Sequence, residues 1–298
     1  MPESRPLLGI LYLMGAVFLF TALDATSKYL TQTFPLPMIV WARYGIHLLL
    51  MVVFLAPTMR SSLITTKHPW QQIARGVVLM TTSCFGIAGF SMLPLAEATA
   101  VIFLSPLIVV LLARWLLAEK ITLGRWFAIA AGFLGVLLIA RPGGAVSVKG
   151  LLLMVITAFL YAIYQIQTRR LSPHENSLTM LFYGALVGSI GLSIAVPFYW
   201  GGPTPNTFQI FQILSLGVLG GLGHWLFIMA FRHAKASTLA PFTYAQLVWA
   251  TVLGWLVYDH LPDGLAILGI IIIAVSSMSI AFSERFKKPL APDTDTAY

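Results

Sequence analysis

Charge is what this chain has least of. Asp, Glu, Lys and Arg make up 9% of its 298 residues, against 58% hydrophobic. A soluble domain carries about a quarter charged residues, and so few charges cannot cover a water-facing surface. The class that fits is a polytopic membrane protein. Cysteine is nearly absent too: Cys84, alone and inside an apolar run, excludes an intrachain disulfide framework. There is no GxxxxGK[ST] loop, which removes an ATP motor. The sequence also lacks an HExxH motif, a Cys/His cluster and a GxSxG elbow. An intramembrane enzyme needs a nucleophile with its base, or clustered carboxylates, and Asp24 is the single acid that reads as deep within a span. The expectation is therefore no catalytic residue, no cofactor and no metal.

Acids are scarcer than bases, 10 against 18, for a net charge of +8. The basic residues fall mostly in short stretches between apolar runs, where they set membrane orientation rather than mark a nucleic-acid partner. The partners expected are the lipid bilayer and a small-molecule substrate, and a homodimer is left open.

Ten runs are apolar enough for membrane helices, near 7–30, 36–56, 72–92, 95–117, 123–141, 150–171, 176–199, 208–231, 236–257 and 263–283. The first is too long for a signal-peptide core and reads as a retained helix. Residues 284–298 are polar and read as a disordered cytoplasmic tail. With the N-terminus inside, fourteen basic residues fall on the cytoplasmic side, Arg60, Lys67, Arg75, Arg169, Arg170 and Arg232 among them. Three, Lys28, Arg141 and Lys149, fall outside, and Arg43 lies within a span. That asymmetry puts both termini in the cytoplasm of a multi-pass protein of the bacterial inner membrane.

The chain repeats itself. Ala96–Glu119 aligns without gaps on Ala236–Asp259: Ala100 meets Ala240, Leu107 meets Leu247, Trp115-Leu116 meets Trp255-Leu256, and Glu119 meets Asp259. Gly9, Leu11, Phe18 and Leu30 likewise match Gly150, Leu152, Phe159 and Leu171. Five spans per copy is an odd number, so the second copy enters the membrane upside down. The expected fold is all-α, ten transmembrane helices in two inverted five-helix repeats, residues 1–145 and 146–283. Inverted repeats are a common basis for alternating access. Small-residue pairs, Gly184/Gly188, Gly217/Gly221, Gly86/Gly89 and Gly132/Gly135, mark faces where helices approach closely.

The stretch LPLAEATAVIFLSPLIVVLLARWLLAEKITLGRWFAIAAGFLGVLLIARPG, Leu93 to Gly143, its echo at Ala236–Ser276, and the openings DATSKYL and VWARYG resemble the drug/metabolite transporter superfamily in its EamA-type branch. The resemblance covers nearly the whole chain. It implies secondary active transport without nucleotide hydrolysis, through a central cavity formed largely by spans 1, 3, 4, 6, 8 and 9. It also implies substrates such as amino acids, vitamins like riboflavin, nucleotide-like metabolites or other amphipathic compounds. One departure stands out: Ser105-Pro106 in the first copy faces Ala245-Gln246 in the second.

Polar groups within spans are functional suspects. Asp24 and Lys28 share a helix face and read either as a self-neutralising pair, with Lys28 reaching to water, or as a coupling site at the cavity. Arg43 reads as a structural partner for Asp24 or as a member of the coupling or gating set with Asp24 and Lys28, and His47 as a hydrogen-bonded interior group. On span 6, Tyr161, Tyr164, Gln165 and Thr168 form one stripe, suited to a flat polar substrate or to interhelical hydrogen bonds. His224 and Trp225 on span 8, and Tyr244 and Gln246 on span 9, complete the candidate binding set. Pro106 is a candidate hinge or static bend. Glu97, Arg114, Glu119 and Asp259 read as solvated span ends. The function that follows is a secondary carrier of a small amphipathic metabolite by alternating access, with exchange or proton coupling through Asp24 and His224 as a hypothesis. The alternative is a passive solute channel.

Overall fold

A computed structural model describes residues 6–117, 122–141, 147–234, 239 and 242–285. Every regular element among them is helical: α1 Pro6–Leu30, α2 Leu36–Met59, α3 Pro69–Met92, α4 Leu95–Ile102, α5 Ser105–Leu117, α6 Leu123–Ile139, α7 Val148–Leu171, α8 Ser177–Tyr199, α9 Thr207–His233, α10 Ala245–Tyr258 and α11 Gly264–Arg285. A short 3₁₀ turn, Arg60–Leu63, follows α2. Seven stretches are long and apolar enough to cross a membrane, and three shorter apolar helices, Trp126–Ile139, Ala245–Tyr258 and Gly264–Ser279, lie in the remaining runs. Glu119 and residues 286–298 of the expected tail lie outside the described residues, while α11 extends helical structure through Arg285.

Local sequence explains the helix ends. Asn206 and Gln209 form a reciprocal capping box at the start of α9. Asn176 and Ser147 cap α8 and α7 with their side chains. Pro69 opens α3, where its missing N–H costs nothing. Large apolar side chains also cover the outer surface, such as Phe198, 84% exposed, as a lipid-facing belt requires.

The duplication reappears as packing. The helix pairs most closely packed include α1 with α9, α3 with α7, α6 with α11 and α2 with α8. In repeat terms the pair α1–α9 and the pair α3–α7 are equivalents, while α6–α11 and α2–α8 are their own equivalents. Individual residues follow suit. A Cβ on Gly9 would sit 2.6 Å from that of Ala234, and one on its counterpart Gly150 would sit 2.8 Å from Met92. Both contacts join the start of one helix to the end of its partner, so both pairs are antiparallel. On α6 and α11, a Cβ on Gly135 would lie 2.8 Å from the Gly269 carbonyl, and one on Gly269 would lie 2.6 Å from the Gly135 carbonyl. Only glycine permits backbones to approach this closely. The expected small faces also find partners: Gly184 meets Leu79, Gly188 meets Tyr44, Gly217 meets Ile46 and Gly86 meets Thr157.

Span 4 is broken. Helix stops at Ile102, passes through turns at Phe103 and Leu104, and restarts at Ser105. The amides of Phe103 and Leu104 reach back three residues, each at 3.0 Å, the tightened winding of a helix end. Ser277 satisfies the Phe103 carbonyl at 2.6 Å. Pro106 falls in the first turn of α5, where proline starts a helix rather than bends one. The second copy breaks at the matching place: Tyr244 is a turn between helical Phe242–Thr243 and α10. The Phe103 and Tyr244 rings meet there, 5.0 Å between centroids.

Three sequence expectations change here. Lys28 does not pair with Asp24: its Nζ donates to the carbonyls of Phe90 at 2.6 Å and Leu93 at 2.5 Å, at the C-terminus of α3. A cation is favoured there because the last carbonyls of a helix lack partners and carry partial negative charge. Glu97 is not a solvated span end. It is 2% exposed and bonds His260 Nε2 at 3.1 Å. Arg75, counted among the loop cations, is 1% exposed inside α3.

Candidate functional site

A cavity of about 910 Å³ lies between the two halves. Its wall takes Phe20 from α1, Arg75 from α3, and Pro106, Val109 and Val110 from α5. The second half contributes Tyr161, Tyr164, Gln165, Thr168, Arg169 and Arg170 from α7, Ser177, Met180 and Leu181 from α8, and His224, Phe227 and Ile228 from α9. Arg169, Arg170, Ser172 and Ser177 are exposed and form the mouth. From Arg170 down to Tyr161 the wall of α7 runs about 14 Å, at about 1.5 Å per residue.

The spacing along α7 does what the sequence predicts for it. Tyr161 and Tyr164 fall one turn apart, and their rings stack at 5.9 Å with 17° between planes. Gln165 turns toward α5 and donates to Ser105 Oγ at 3.1 Å. Thr168 continues the stripe, its Oγ1 buried with no hydrogen-bond partner. Across the cavity, His224 lies parallel to His47 of α2, 5.8 Å between rings, with the Phe20 ring edge-on at 4.9 Å.

The other candidates divide. Pro106 lines the cavity beside the broken helix. Asp24 stands one turn beyond Phe20 on α1, with Tyr161 and Arg43 in its surroundings. Asp24 and Arg43 form no ion pair with each other among the described residues, and neither enters the cavity wall. Trp225 points away, 46% exposed and edge-on to Tyr12. Tyr244 and Gln246 are half-buried at the second helix break and outside the wall. Lys28 lies outside the wall, at the C-terminus of α3. There Tyr258 Oη donates to the Ala25 carbonyl at 2.6 Å, the Lys28 ammonium lies 5.2 Å from the Tyr258 ring, and His260 holds Glu97.

Sequence reasoning passed over Arg75. Its Nη1 donates to the Tyr164 hydroxyl at 2.9 Å and its Nη2 to the Met180 carbonyl. The guanidinium carbon lies 5.2 Å from the Tyr164 ring centroid, and Nε has no partner. An arginine that is the one charged residue of α3 was the available signal. Among the described residues no three His, Cys, Asp or Glu side chains cluster to hold a metal.

The chain matches the EamA-like transporter family twice, over residues 7–141 and 148–282. It is 27% identical over 278 residues to an S-adenosylmethionine uptake transporter of Rickettsia bellii, covering 93% of this chain and 94% of that one. It is 28% identical over 289 residues to a riboflavin transporter of Vibrio cholerae, covering 96% and 95%. A pseudopaline exporter of Pseudomonas aeruginosa is 26% identical over 284 residues, covering 93% and 97%. A solved crystal structure, 19% identical, shares the fold with a TM-score of 0.63 over 94% of this chain and 99% of its own.

Proposed function

The chain belongs to the EamA-like transporter family, a multi-pass membrane transporter and not an enzyme, and from that premise we propose that it is a secondary active carrier of a small organic metabolite. The observation that carries the proposal is the cavity: both halves build it, its mouth lies at Arg169–Arg170, and the helix ends opposite that mouth are joined by the Lys28–Leu93, Tyr258–Ala25 and His260–Glu97 contacts. A site enclosed at one end and open at the other is what one state of alternating access requires. The antiparallel, reciprocal pairing of α1–α9 with α3–α7 supports two inverted five-helix repeats, 1–145 and 146–283. The basic mouth supports a cytoplasmic opening, with both termini on that side.

The stacked Tyr161–Tyr164 rings with Gln165 and His224 suit a planar solute carrying hydrogen-bonding groups. S-adenosylmethionine and riboflavin, carried by relatives, define the size and chemistry to try first. Asp24, through Tyr161, and His224 are the groups through which proton coupling would act, and Pro106 with the paired breaks is where α4 and α5 would hinge. In proteoliposomes, saturable counterflow of labelled solute is expected, and it drops when Tyr161→Ala or Gln165→Ala is introduced. Flux that rises linearly with concentration and shows no trans-stimulation would instead mean a channel.

A further inference from the structure

Arg75 poses a problem that packing does not solve. A guanidinium within a membrane span is costly unless its charge is countered. Among the described residues no carboxylate pairs with Arg75; its partners are a tyrosine hydroxyl and a backbone carbonyl, both neutral. The cavity wall holds three arginines, Arg75, Arg169 and Arg170, and no aspartate or glutamate. The pair at the mouth follows the ordinary excess of basic residues at one membrane face. Arg75 does not, because it lies deeper and is 1% exposed.

Unspent hydrogen-bonding capacity gathers at the same wall. Arg75 Nε and Thr168 Oγ1, both of residues lining the cavity, have no partner. One turn before Arg75 on α3, Gln72 is fully buried with both amide atoms unpartnered. Native structures rarely leave buried polar atoms unused unless a ligand or water uses them. The Tyr164 hydroxyl, carried by one of the stacked rings, accepts from the guanidinium at 2.9 Å. It is a neutral acceptor that a carboxylate or phosphate oxygen can replace, because that oxygen also supplies the missing charge and the fork geometry.

We propose that the transported solute carries an anionic oxygen group, carboxylate or phosphate, that docks on Arg75 while its planar portion lies against Tyr161 and Tyr164. The inference rests on the reading of this cavity as the substrate path. Arg75 sets specificity: it admits the acid form of a solute in preference to the same solute without the acid.

Matched pairs test this on the purified full-length protein in nanodiscs, by binding titration. The pairs are S-adenosylmethionine with its decarboxylated form, riboflavin 5′-phosphate with riboflavin, and tryptophan with tryptamine. For a pair that binds, the acidic member should bind about tenfold or more tightly, the worth of one charge-assisted hydrogen bond. Arg75→Gln should reduce that preference to about threefold or less. Tyr164→Phe keeps the ring stack and removes the competing acceptor, so the acidic member should bind more tightly than in the unsubstituted protein. Equal binding of both members, a preference that survives Arg75→Gln, or weaker acid binding in Tyr164→Phe overturns the proposal. If Arg75→Gln fails to fold, the unsubstituted comparison and Tyr164→Phe still decide. Counterflow of the acid-free member in proteoliposomes is independent of this outcome: its persistence keeps the carrier reading when the acid preference fails, and its absence removes that reading while leaving the binding comparison intact.

Discussion

Replacing Lys28 by Met should unlatch the closed end of the cavity. Methionine keeps an apolar stem of similar length against α3 and removes the ammonium. Two hydrogen bonds go with it, to Phe90 O at 2.6 Å and Leu93 O at 2.5 Å. A hydrogen bond involving a charged group contributes about 1.5–3 kcal/mol, and Lys28 is only half-buried, so the lower figure applies to each. The cation above the Tyr258 ring adds about 0.5 kcal/mol. The sum is about 3.5 kcal/mol, or a shift of roughly a few hundredfold in the ratio of closed to open forms. Ala25 reports on that ratio: it is 5% exposed and its carbonyl accepts from Tyr258 across the same end. In a Cys84→Ser background, Ala25→Cys should react with a membrane-impermeant maleimide at least about tenfold faster when Lys28→Met is added. Lys28→Arg should stay slow, since a guanidinium can still reach the helix terminus. A labelling rate unchanged to within about twofold, in a protein that still elutes as a single species, would refute the view that Lys28 holds this end shut.

Other outcomes follow from the same contacts. Asp24→Asn should abolish gradient-driven accumulation in proteoliposomes while exchange continues; accumulation that survives removes Asp24 from coupling. Gly135→Val forces a branched side chain against the Gly269 carbonyl and Ile273, and overpacking of this kind costs about 1–3 kcal/mol, to be read as a lowered melting temperature in detergent. Glu97→Ala strips His260 of its acceptor and removes a buried carboxylate near Lys28, so maleimide labelling at the closed end should rise as it does for Lys28→Met. Asp263 is held below the ordinary aspartate pKa of 3.8 first by the hydrogen bond from Arg141 and then by the Ala266 amide. A depressed carboxylate stabilises the fold above its unfolded pKa, and this contribution fades as pH falls below 3.8 through the folded value. The pair is exposed, so the effect is small: Asp263→Asn should flatten only the acid limb of a melting-temperature profile.

The duplication was the most legible feature. An offset that aligns Ala96 with Ala236 and Gly9 with Gly150 already encodes which helix pairs must be equivalent, and the packing repeats it at Gly9–Ala234 and Gly150–Met92. The α7 stripe was legible for the same reason, since three- and four-residue spacing fixes a face. The asymmetry of Pro106 against Gln246 was visible but pointed to the wrong cause. Both copies break two residues before that position, at Leu104 and at Tyr244, so proline does not make the break. Arg75, Glu97 and Lys28 were misplaced because each was judged by distance along the chain from an apolar run. Their surroundings are set by helices far away in sequence: Arg75 by α7 and α8, Glu97 by His260, Lys28 by the end of α3. Periodicity reads a helix's own faces, not which distant helix covers them.

The reciprocal pairing has a consequence for how the chain is made. The closest partner of α1 is α9, that of α3 is α7 and that of α6 is α11. When the ribosome has delivered the first five spans, the glycine faces at Gly9, Gly89 and Gly135 have nothing to close against. The early half must wait in the bilayer, its small-residue grooves filled by lipid or by chaperoning insertase, until the late half arrives. A nonsense mutation near the middle of the gene therefore leaves no miniature of the protein behind, only a set of helices whose partners were never synthesised.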